Sequence, residues 1–393
     1  MEFATFVYQP ATGWETPPEP ELQALDSPDT LVLVFGPSGA LTDLAADSPL
    51  AALARALPRS MFVSAASLTV AQAQQASDGG LVVCVARFAH TRLRRVQTGL
   101  SPTLDARAAG QRLAAALCDP PGLSAVLVFA DGRQVNGPEL VRGLTAGLPE
   151  GLPIAGGMGA DGTHAARTWT LHADGPAQHS ICAVGLYGSR LRMVRSCRGG
   201  SVGFGQRRLV TRAQGNTVEE IDGQPALQLY RQYLGRYASG LPEAASHFPL
   251  TVFRRAEDMQ GVIRYVLGID PDRQTIDVAG DIPAGSLVQL SRAGRSELIE
   301  GAFQAAEALR EALPVDQPVL ALMVSCVGRR HVLGEQTAEE LEPVAAALPA
   351  GSALAGFYSF GEISSGPGQP CDMHNMTLTL AALWEADPDR QEA

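Results

Sequence analysis

The sequence predicts an α/β fold with two domains of mixed β-sheets flanked by helices. At 393 residues the chain is longer than one ordinary hydrophobic core requires, so two or more domains are expected. Apolar residues make up 46% and charged residues 18%, as is typical of folded globular proteins. Short apolar segments alternate with helix-like segments and hairpin patterns, which favours sheets covered by helices.

The N-terminal part of the chain predicts an irregular segment followed by alternating strands and helices. Residues 1–30 are predicted as an irregular lead-in, since residues 9–30 are rich in proline and acidic residues. Beyond it, short apolar runs predict strands, and Ala/Leu-rich runs that stop at proline or glycine predict helices. Strands are predicted at 31–35, 61–65, 81–88, 92–97, 125–130, 152–155, 168–172, 180–187 and 191–197, and helices at 50–57, 104–118, 138–147 and 224–233.

A second block of elements begins near Pro249. Strands are predicted there at 250–254, 261–269, 274–279, 286–291, 319–324, 352–356 and 376–384, and helices at 297–312 and 336–347. The sequence is therefore divided into the lead-in at 1–30, an N-terminal domain at 31–240 and a C-terminal domain at 241–393.

An internal strand–helix–strand repeat ends in a glycine corner. One copy runs from Val126 to Asp161 and the other from Leu320 to Glu362, and each begins with an apolar strand followed by a loop. In the second copy this loop contains Gly328, Arg329 and Arg330. A weaker third copy runs from Leu31 to Thr69, but its corner has no glycine. Matching corners at matching places favour duplication over a chance likeness of strand–helix–strand units.

The corner Gly356–Ile363 carries more polar side chains than a turn requires. It contains a tyrosine, a serine and a glutamate between glycines, and His374 and Asn375 follow shortly after it. Glycine alone would satisfy a tight turn. The additional side chains indicate a binding or chemical role for this region.

Composition excludes several classes of protein. The net charge of −11 argues against nucleic-acid binding. All 30 basic residues are arginine, which excludes a Walker A loop, a Schiff-base lysine, a pyridoxal-phosphate enzyme and a protein kinase core. A signal peptide and a membrane-spanning run are not recognisable, and six scattered cysteines are typical of reduced thiols, so a cytoplasmic location without membrane insertion is expected.

Four local motifs are weaker than they first look. Gly157–Gly162 has dinucleotide-binding spacing, but a strand rather than a helix is predicted after it. Ser201 has nucleophile-elbow spacing and also lacks the required helix. Cys371 and His374 form only half of a zinc site. Cys326 beside two arginines is either an activated thiol or a buried small side chain.

The sequence resembles the FIST family, bacterial sensory proteins with an N-terminal and a C-terminal FIST domain. The resemblance rests on Cys326–Arg329, Gly356–Ile363 and His374–Thr377, and on Pro153–Gly157 with Asp161. It spans nearly the whole chain. The departures are Phe360 and Met376, where the family often has tyrosine and glutamine, and Ser64–Ser67, where it has a glycine-containing corner.

The resemblance implies a small-molecule sensor in signal transduction, with amino acids or their derivatives as proposed ligands. We therefore expect a non-enzymatic protein without a cofactor or metal, which signals through a separate partner such as a histidine kinase. Tyr358 and Ser359 would hydrogen-bond the ligand, Arg329 would clamp an anion, and Asp161 or Glu362 would hold an ammonium group. The predicted ligand-binding residues are Gly156, Gly157, Asp161, Cys326, Arg329, Gly356, Tyr358, Ser359, Gly361, Glu362, His374 and Asn375.

Three alternatives to these assignments stay open at this point. Some relatives are reported to bind haem, so the chain could be a haem-linked gas sensor that regulates a histidine kinase. It could also be an enzyme that uses Cys326 as nucleophile near His374. Asp161 and Glu362 could instead only hold their own turns.

Overall fold

Three strand–helix–strand units follow one another along the chain, and each forms the centre of one β-sheet. The computed structural model describes residues 1–16, 21–43, 45, 48–101, 104–162, 168–172, 175–365 and 370–387. Residues 17–20 of the predicted lead-in and the gaps and tail of the predicted C-terminal domain lie outside this part. The four sheets with flanking helices confirm the predicted mixed α/β architecture.

Unit 1 spans residues 2–87. Its elements are β1 (Glu2–Gln9), β2 (Gly13–Trp14), α1 (Glu21–Leu25), β3 (Thr30–Gly36), α2 (Ser38–Thr42), α3 (Pro49–Ala56), β4 (Met61–Ala66), β5 (Thr69–Gln72), β6 (Gln75–Asp78) and β7 (Leu81–Arg87). Helix α3 begins where the Ser48 hydroxyl accepts from the Ala51 N–H, with proline at the first helical position. The predicted lead-in contains β1, because β7 offers it a sheet edge that composition alone does not reveal.

Unit 2 spans residues 92–187 and repeats the plan of unit 1. Its elements are β8 (Arg92–Gly99), α4 (Ala106–Cys118), β9 (Leu123–Ala130), α5 (Gly137–Gly147), β10 (Ile154–Met158), β11 (Thr170–His172), β12 (Gly175–Ala177) and β13 (Ser180–Tyr187). Asp105 and Asn136 cap the two helices through their side-chain oxygens. Among the described residues, strand β11 is the first element after the glycines at 157–162, as the sequence predicts, and residues 163–167 lie outside the described part of the chain.

Unit 3 opens with β14 (Leu191–Arg198) and is then interrupted by an insertion at residues 202–292. The insertion contains β15 (Val202–Gln214), β16 (Thr217–Ile221), β17 (Gln224–Pro225), α6 (Ala226–Leu234), β18 (Leu250–Phe253), β19 (Val262–Arg264), β20 (Val266–Asp270), β21 (Thr275–Val278) and β22 (Leu287–Arg292). It has a hydrophobic core of its own, which includes Leu227, Tyr230 and Ile276. The predicted domain boundary at residues 240 and 241 falls inside this insertion.

Unit 3 continues after the insertion with α7 (Arg295–Ala312), β23 (Leu320–Cys326), α8 (Val327–Leu333), α9 (Ala338–Ala347), β24 (Ala353–Ser359), β25 (Glu362–Ser364), β26 (Asp372–His374) and β27 (Leu378–Glu385). Two predictions are wrong here. The predicted loop at Gly328–Arg330 is the first turn of α8, where a Cβ on Gly328 would lie 2.5 Å from the Met376 Sδ. The segment predicted as a turn at Gly356–Glu362 mostly consists of the end of β24 and the start of β25. Both strands are buried and paired within sheets, so the glycines and polar residues continue the strands there.

The three units arrange their strands in the same order. A parallel pair lies at the centre of each sheet: β3 with β4, β9 with β10, and β23 with β24. Two antiparallel strands follow on one side, and a hairpin covers the other side. The full orders are β12-β11-β4-β3-β7-β1-β2, β26-β25-β10-β9-β13-β8 and β6-β5-β24-β23-β27-β14. The predicted repeat is therefore present three times.

Each unit gives its hairpin to a neighbouring unit. The hairpin β5–β6 of unit 1 pairs with β24, β11–β12 of unit 2 pairs with β4, and β25–β26 of unit 3 pairs with β10. The exchange is cyclic, so the units are related by an approximate threefold axis. With the sheet of the insertion, three of the four sheets among the described residues contain strands from both sides of residue 240.

The ends of β4, β10 and β24 meet in what we call the threefold junction. The Ser67 hydroxyl accepts from the Tyr358 N–H at 3.2 Å, and the Ser359 hydroxyl accepts from the Met158 N–H at 3.1 Å. The third link uses backbone only, since Ala160 N–H donates to the Ala66 carbonyl at 2.6 Å. Nearby, the three rings with centroids 4.5–6.1 Å apart, one from each unit, are Phe35, Phe129 and Phe357.

We expect Ser67→Ala and Ser359→Ala each to lower the free energy of unfolding by about 1–3 kcal/mol, because buried backbone groups lose their partner. Urea denaturation measures the change. The matched control is Ser239→Ala on an exposed turn, with an expected change within about 0.5 kcal/mol. Junction variants as stable as this control would contradict the role of the two hydroxyls.

Candidate functional site

A cleft of about 510 Å³ lies between the insertion and unit 3, and we call it the insertion cleft. One wall is the end of β14 with the following loop, including Arg198 and Ser201. The opposite wall comes from the insertion and includes Phe253 and Ile263. Its floor is formed by His374 and Thr377, on either side of the turn between β26 and β27. The cleft therefore combines parts of the chain that are distant in sequence.

Charged side chains fix the insertion to units 2 and 3. Arg142 of α5 pairs with Asp281 at 2.6 Å, and Arg254 pairs with Asp372 of β26 at 2.5 Å. Buried Arg264 donates to the Met373 carbonyl at 2.9 Å. A larger hollow of about 770 Å³ runs along this contact, but the charges that line it are largely paired with each other. The insertion cleft is the better candidate for a binding site.

Glu362 lies beneath the floor of the insertion cleft and is 0% exposed. Thr377 donates both its N–H and its hydroxyl to Glu362 Oε2, at 3.2 and 2.9 Å. The other oxygen, Oε1, is buried and has no hydrogen-bond partner among the described residues. Burial raises the pKa of Glu362 well above its ordinary value, and the two Thr377 hydrogen bonds and the charge of Arg329 oppose this only in part.

The two other units show that the fold does not need a carboxylate at this position. In each sheet, the first strand of the exchanged hairpin pairs with the central strand at the level of the aromatic rings. The paired residues are Glu362 with Gly157, Thr170 with Ala65, and Val70 with Phe357. Glutamate, threonine and valine thus occupy equivalent positions in one chain.

The hydrogen bond beneath the cleft also has a counterpart. Glu362 bonds Thr377 at the start of β27, and in unit 2 the Thr170 hydroxyl lies 2.6 Å from the hydroxyl of Ser180 at the start of β13. In unit 1 the equivalent residue is Val70, whose side chain cannot form this hydrogen bond. Because a neutral residue satisfies the fold twice, the ionisable group of Glu362 is not explained by structure alone.

Cys326 ends β23 beside Glu362 and is 3% exposed. Its N–H donates to the Thr377 carbonyl at 3.2 Å. Burial raises the pKa of the Cys326 thiol, and the neighbouring Glu362 carboxylate raises it further. This environment favours the thiol over the reactive thiolate at neutral pH.

His374 and Asn375 complete the set around the floor. The His374 Nε2 lies 3.2 Å from the Ser364 carbonyl oxygen, and burial lowers the pKa of its imidazole, which Asp372 partly opposes. The Asn375 amide donates to the Phe360 carbonyl at 3.3 Å, while its Oδ1 is buried and has no partner among the described residues. Two buried acceptors, on Glu362 and Asn375, are thus unpaired in this region.

Arg329 and Tyr358 are occupied by a buried network. Arg329 is 0% exposed and contacts Glu340 Oε2 through Nε at 2.9 Å and Nη2 at 2.8 Å. Its remaining donors reach the carbonyls of Gly199 and Leu298 at 2.7 and 2.8 Å. The Tyr358 hydroxyl donates to Glu340 Oε1 at 2.6 Å. The network joins α8, α9 and β24 to the loop that lines the cleft.

The predicted glycines allow close contact between parts of the protein itself. A Cβ on Gly156, at φ +152°, would lie 1.8 Å from the Val128 carbonyl oxygen. A Cβ on Gly157, Gly356 or Gly361 would lie within 2.7–3.0 Å of a neighbouring side chain. Asp161 accepts from the Ser38 N–H at 3.0 Å, at the start of α2.

The structure thus brings together four predicted residues, of which His374 lies in the cleft floor and Cys326, Glu362 and Asn375 are buried near it. The other eight lie in the threefold junction, in the network or against unit 1. These eight residues contact other residues of the protein itself. Ligand binding by any of the twelve predicted residues stays a prediction.

Two contributions to this region have weak or absent sequence signals. The sequence gives a weak signal for Glu340, because Glu340 shares a helix face with buried Val344 and Ala347 at helical spacing. The insertion residues Thr251, Phe253 and Gln289 have none, because only the packing of the insertion brings them to the cleft.

The FIST N domain matches residues 30–224 and the FIST C domain matches residues 226–365. These matches cover most of the chain, so the protein belongs to the FIST family. FIST domains are sensory domains that bind small ligands and are implicated in signal transduction. Among curated proteins, none matches the chain. A crystal structure of chorismatase is similar over 97% of this chain and 98% of its own, at 11% identity and a TM-score of 0.36. None of the described helices has the length and apolar content of a membrane span.

We expect Arg329→Ala to destabilise the fold by about 3–5 kcal/mol, because it leaves the Glu340 carboxylate buried and unpaired. The matched control is Arg212→Ala, which removes an exposed arginine from surface ion pairs and should cost about 1 kcal/mol or less. Chemical denaturation measures both. Equal effects in the two variants would show that the buried pair is not needed for stability.

We expect the stability of the protein to fall as pH rises through the raised pKa of Glu362. In that range the folded chain keeps the proton and the unfolded chain releases it, so deprotonation favours unfolding. Glu362→Gln removes this contribution, so its stability should decline less between pH 5 and pH 8, while exposed Glu335→Gln should behave as the parent does. Thermal melting across this pH range gives the comparison, and parallel curves for parent and Glu362→Gln would count against the assignment.

Proposed function

We propose that this protein is a cytoplasmic, non-enzymatic sensor whose small-molecule ligand lies in the insertion cleft and is an amino acid or a derivative of one. The observation that carries the proposal is the carboxyl group of Glu362 beneath the cleft floor, at a position where the fold accepts threonine and valine in the other units. A group that the fold does not require, next to a cleft, is the usual mark of a binding site.

The lining of the cleft suits an amino acid. Arg198 makes no ion pair within the described part of the chain, and its guanidinium can receive a ligand carboxylate. The Ser201 hydroxyl is buried and unpaired, which leaves a further polar group for the ligand. On the opposite wall, Phe253, Met259 and Ile263 offer apolar surface to a side chain. The lining therefore favours apolar amino acids such as leucine and methionine.

The position of the cleft also suits a sensor. Its two walls belong to the insertion and to unit 3, so a ligand that contacts both would stabilise one relative placement of them. The signal would pass to a separate protein such as a histidine kinase. The environment of Cys326 favours this function over cysteine-dependent catalysis, because burial keeps the thiol protonated.

We expect calorimetric titration with a panel of amino acids and dipeptides to identify ligands, with L-leucine or L-methionine among them. Arg198→Gln should weaken their binding by about tenfold or more, since the ligand carboxylate loses its charge-assisted partner. Arg192→Gln is the matched control, because Arg192 is exposed on the same strand and lies outside the cleft lining. Binding that Arg198→Gln leaves unchanged would remove the carboxylate from this position, and no binding across the panel would contradict the proposed ligand class.

A further inference from the structure

Among the described residues, those that line the insertion cleft include no carboxylate. Its polar groups are hydroxyls, amides, backbone, His374 and Arg198. Glu362 is the carboxylate that lies directly behind this lining, separated from the cleft by Thr377, to which it is hydrogen-bonded. For a ligand with an ammonium group in the cleft, Glu362 is therefore the carboxylate behind the lining residue Thr377.

The groups around Glu362 compensate a negative charge only in part. Cys326 from β23 and Cys197 from β14 are buried thiols, and burial raises the pKa of both. His374 lies opposite on β26, where burial disfavours its cationic form. Arg329 from α8 is already paired with a glutamate of α9. In the ligand-free protein, an ionised Glu362 would therefore be a buried charge without a counter-ion.

We propose that Glu362 is protonated in the ligand-free protein and releases this proton when the ammonium group of a ligand reaches it past Thr377. This inference rests on the proposed function, because it concerns the same cleft. The O–H bond of the carboxyl group breaks, the proton passes to the solvent, and a carboxylate–ammonium pair forms in its place. The ligand class is thus a primary amine, and an α-amino acid adds a carboxylate for Arg198.

Several observations support this assignment independently of one another. Within the described part of the chain, Oε1 of Glu362 and Oδ1 of Asn375 are buried acceptors without a hydrogen-bond partner, and an ammonium group supplies donors for such atoms. The raised pKa of Glu362 agrees with a neutral acid in the free protein. The equivalent positions in units 1 and 2 carry Val70 and Thr170, so the acid is retained for something other than folding.

The coupling predicts a specific pH dependence. While Glu362 is protonated in the free protein and ionised in the complex, affinity for an amine should rise about tenfold per pH unit. Once the pH exceeds the pKa of the free protein, affinity should become constant. A ligand that carries only a carboxylate should not show this dependence.

The test uses three probes with the same branched side chain: L-leucine, 3-methylbutylamine, which lacks the carboxylate, and 4-methylpentanoate, which lacks the amino group. Titration calorimetry in two buffers with different heats of ionisation gives the number of protons released. We expect about one proton for leucine and for the amine, and none for 4-methylpentanoate. Glu362→Gln should abolish the release and weaken binding of the amine about tenfold or more, whereas exposed Glu335→Gln should change neither.

A second variant, Glu362→Thr, keeps the test valid if Glu362→Gln does not fold. Glu362→Thr introduces the residue that unit 2 uses at the equivalent position, so it should fold and should also lose proton release. Difference infrared spectra between the parent and Glu362→Thr should show the carbonyl band of a protonated carboxylic acid in ligand-free protein at neutral pH. Absence of this band would overturn the proposal without any ligand.

The outcomes separate this inference from the proposed function. If leucine or 3-methylbutylamine binds without proton release, or Glu362→Thr binds the amine as tightly as the parent, the proton coupling is wrong and the sensor function stands. If none of the three probes and no member of the amino-acid panel binds, the proton coupling and the proposed ligand class are both wrong.

Discussion

The cyclic exchange of hairpins is the constraint on which the rest of the structure depends. Each central parallel pair would otherwise present an open edge with unpaired N–H and C=O groups, and the hairpin of another unit covers it. No unit can complete its sheet alone. The strand ends are therefore forced together at the threefold junction, where small residues and the hydroxyls of Ser67 and Ser359 are required because the backbones approach closely.

Two buried glutamates near this junction illustrate how pairing decides the role of a charge. Glu340 receives Arg329, Tyr358 and Ser325, so its carboxylate is compensated and holds α9 to the sheet. Glu362 accepts hydrogen bonds from Thr377, and its Oε1 has no hydrogen-bond partner among the described residues. A buried charge that is paired stabilises one arrangement of the groups around it. A buried carboxylate without a counter-ion is unfavourable, so it takes up a proton or binds a cation. Glu362 lies beneath the floor of the insertion cleft, and our proposal assigns the partner of its carboxylate to a ligand in that cleft.

Repetition within the chain provides a comparison that a single sequence otherwise lacks. Three equivalent positions filled by glutamate, threonine and valine separate what the fold needs from what a function adds. The same comparison applies at the junction, where two units use a serine hydroxyl and the third uses backbone alone. By this comparison, Glu362 is the one ionisable residue among the three equivalent positions, whereas Ser359 has the same hydrogen-bonding role as Ser67.

The sequence by itself determined the α/β class, the strand–helix–strand repeat, the absence of lysine-dependent chemistry and the importance of the region from Gly356 to Asn375. These follow from local periodicity, composition and motif. Tertiary structure alone decided that Arg329 and Tyr358 face Glu340, that the insertion supplies a wall of the cleft, and that Glu362 lies behind Thr377. Such contacts join residues up to hundreds of positions apart, and burial and partners, which set the charge of a side chain, exist only once the chain is packed.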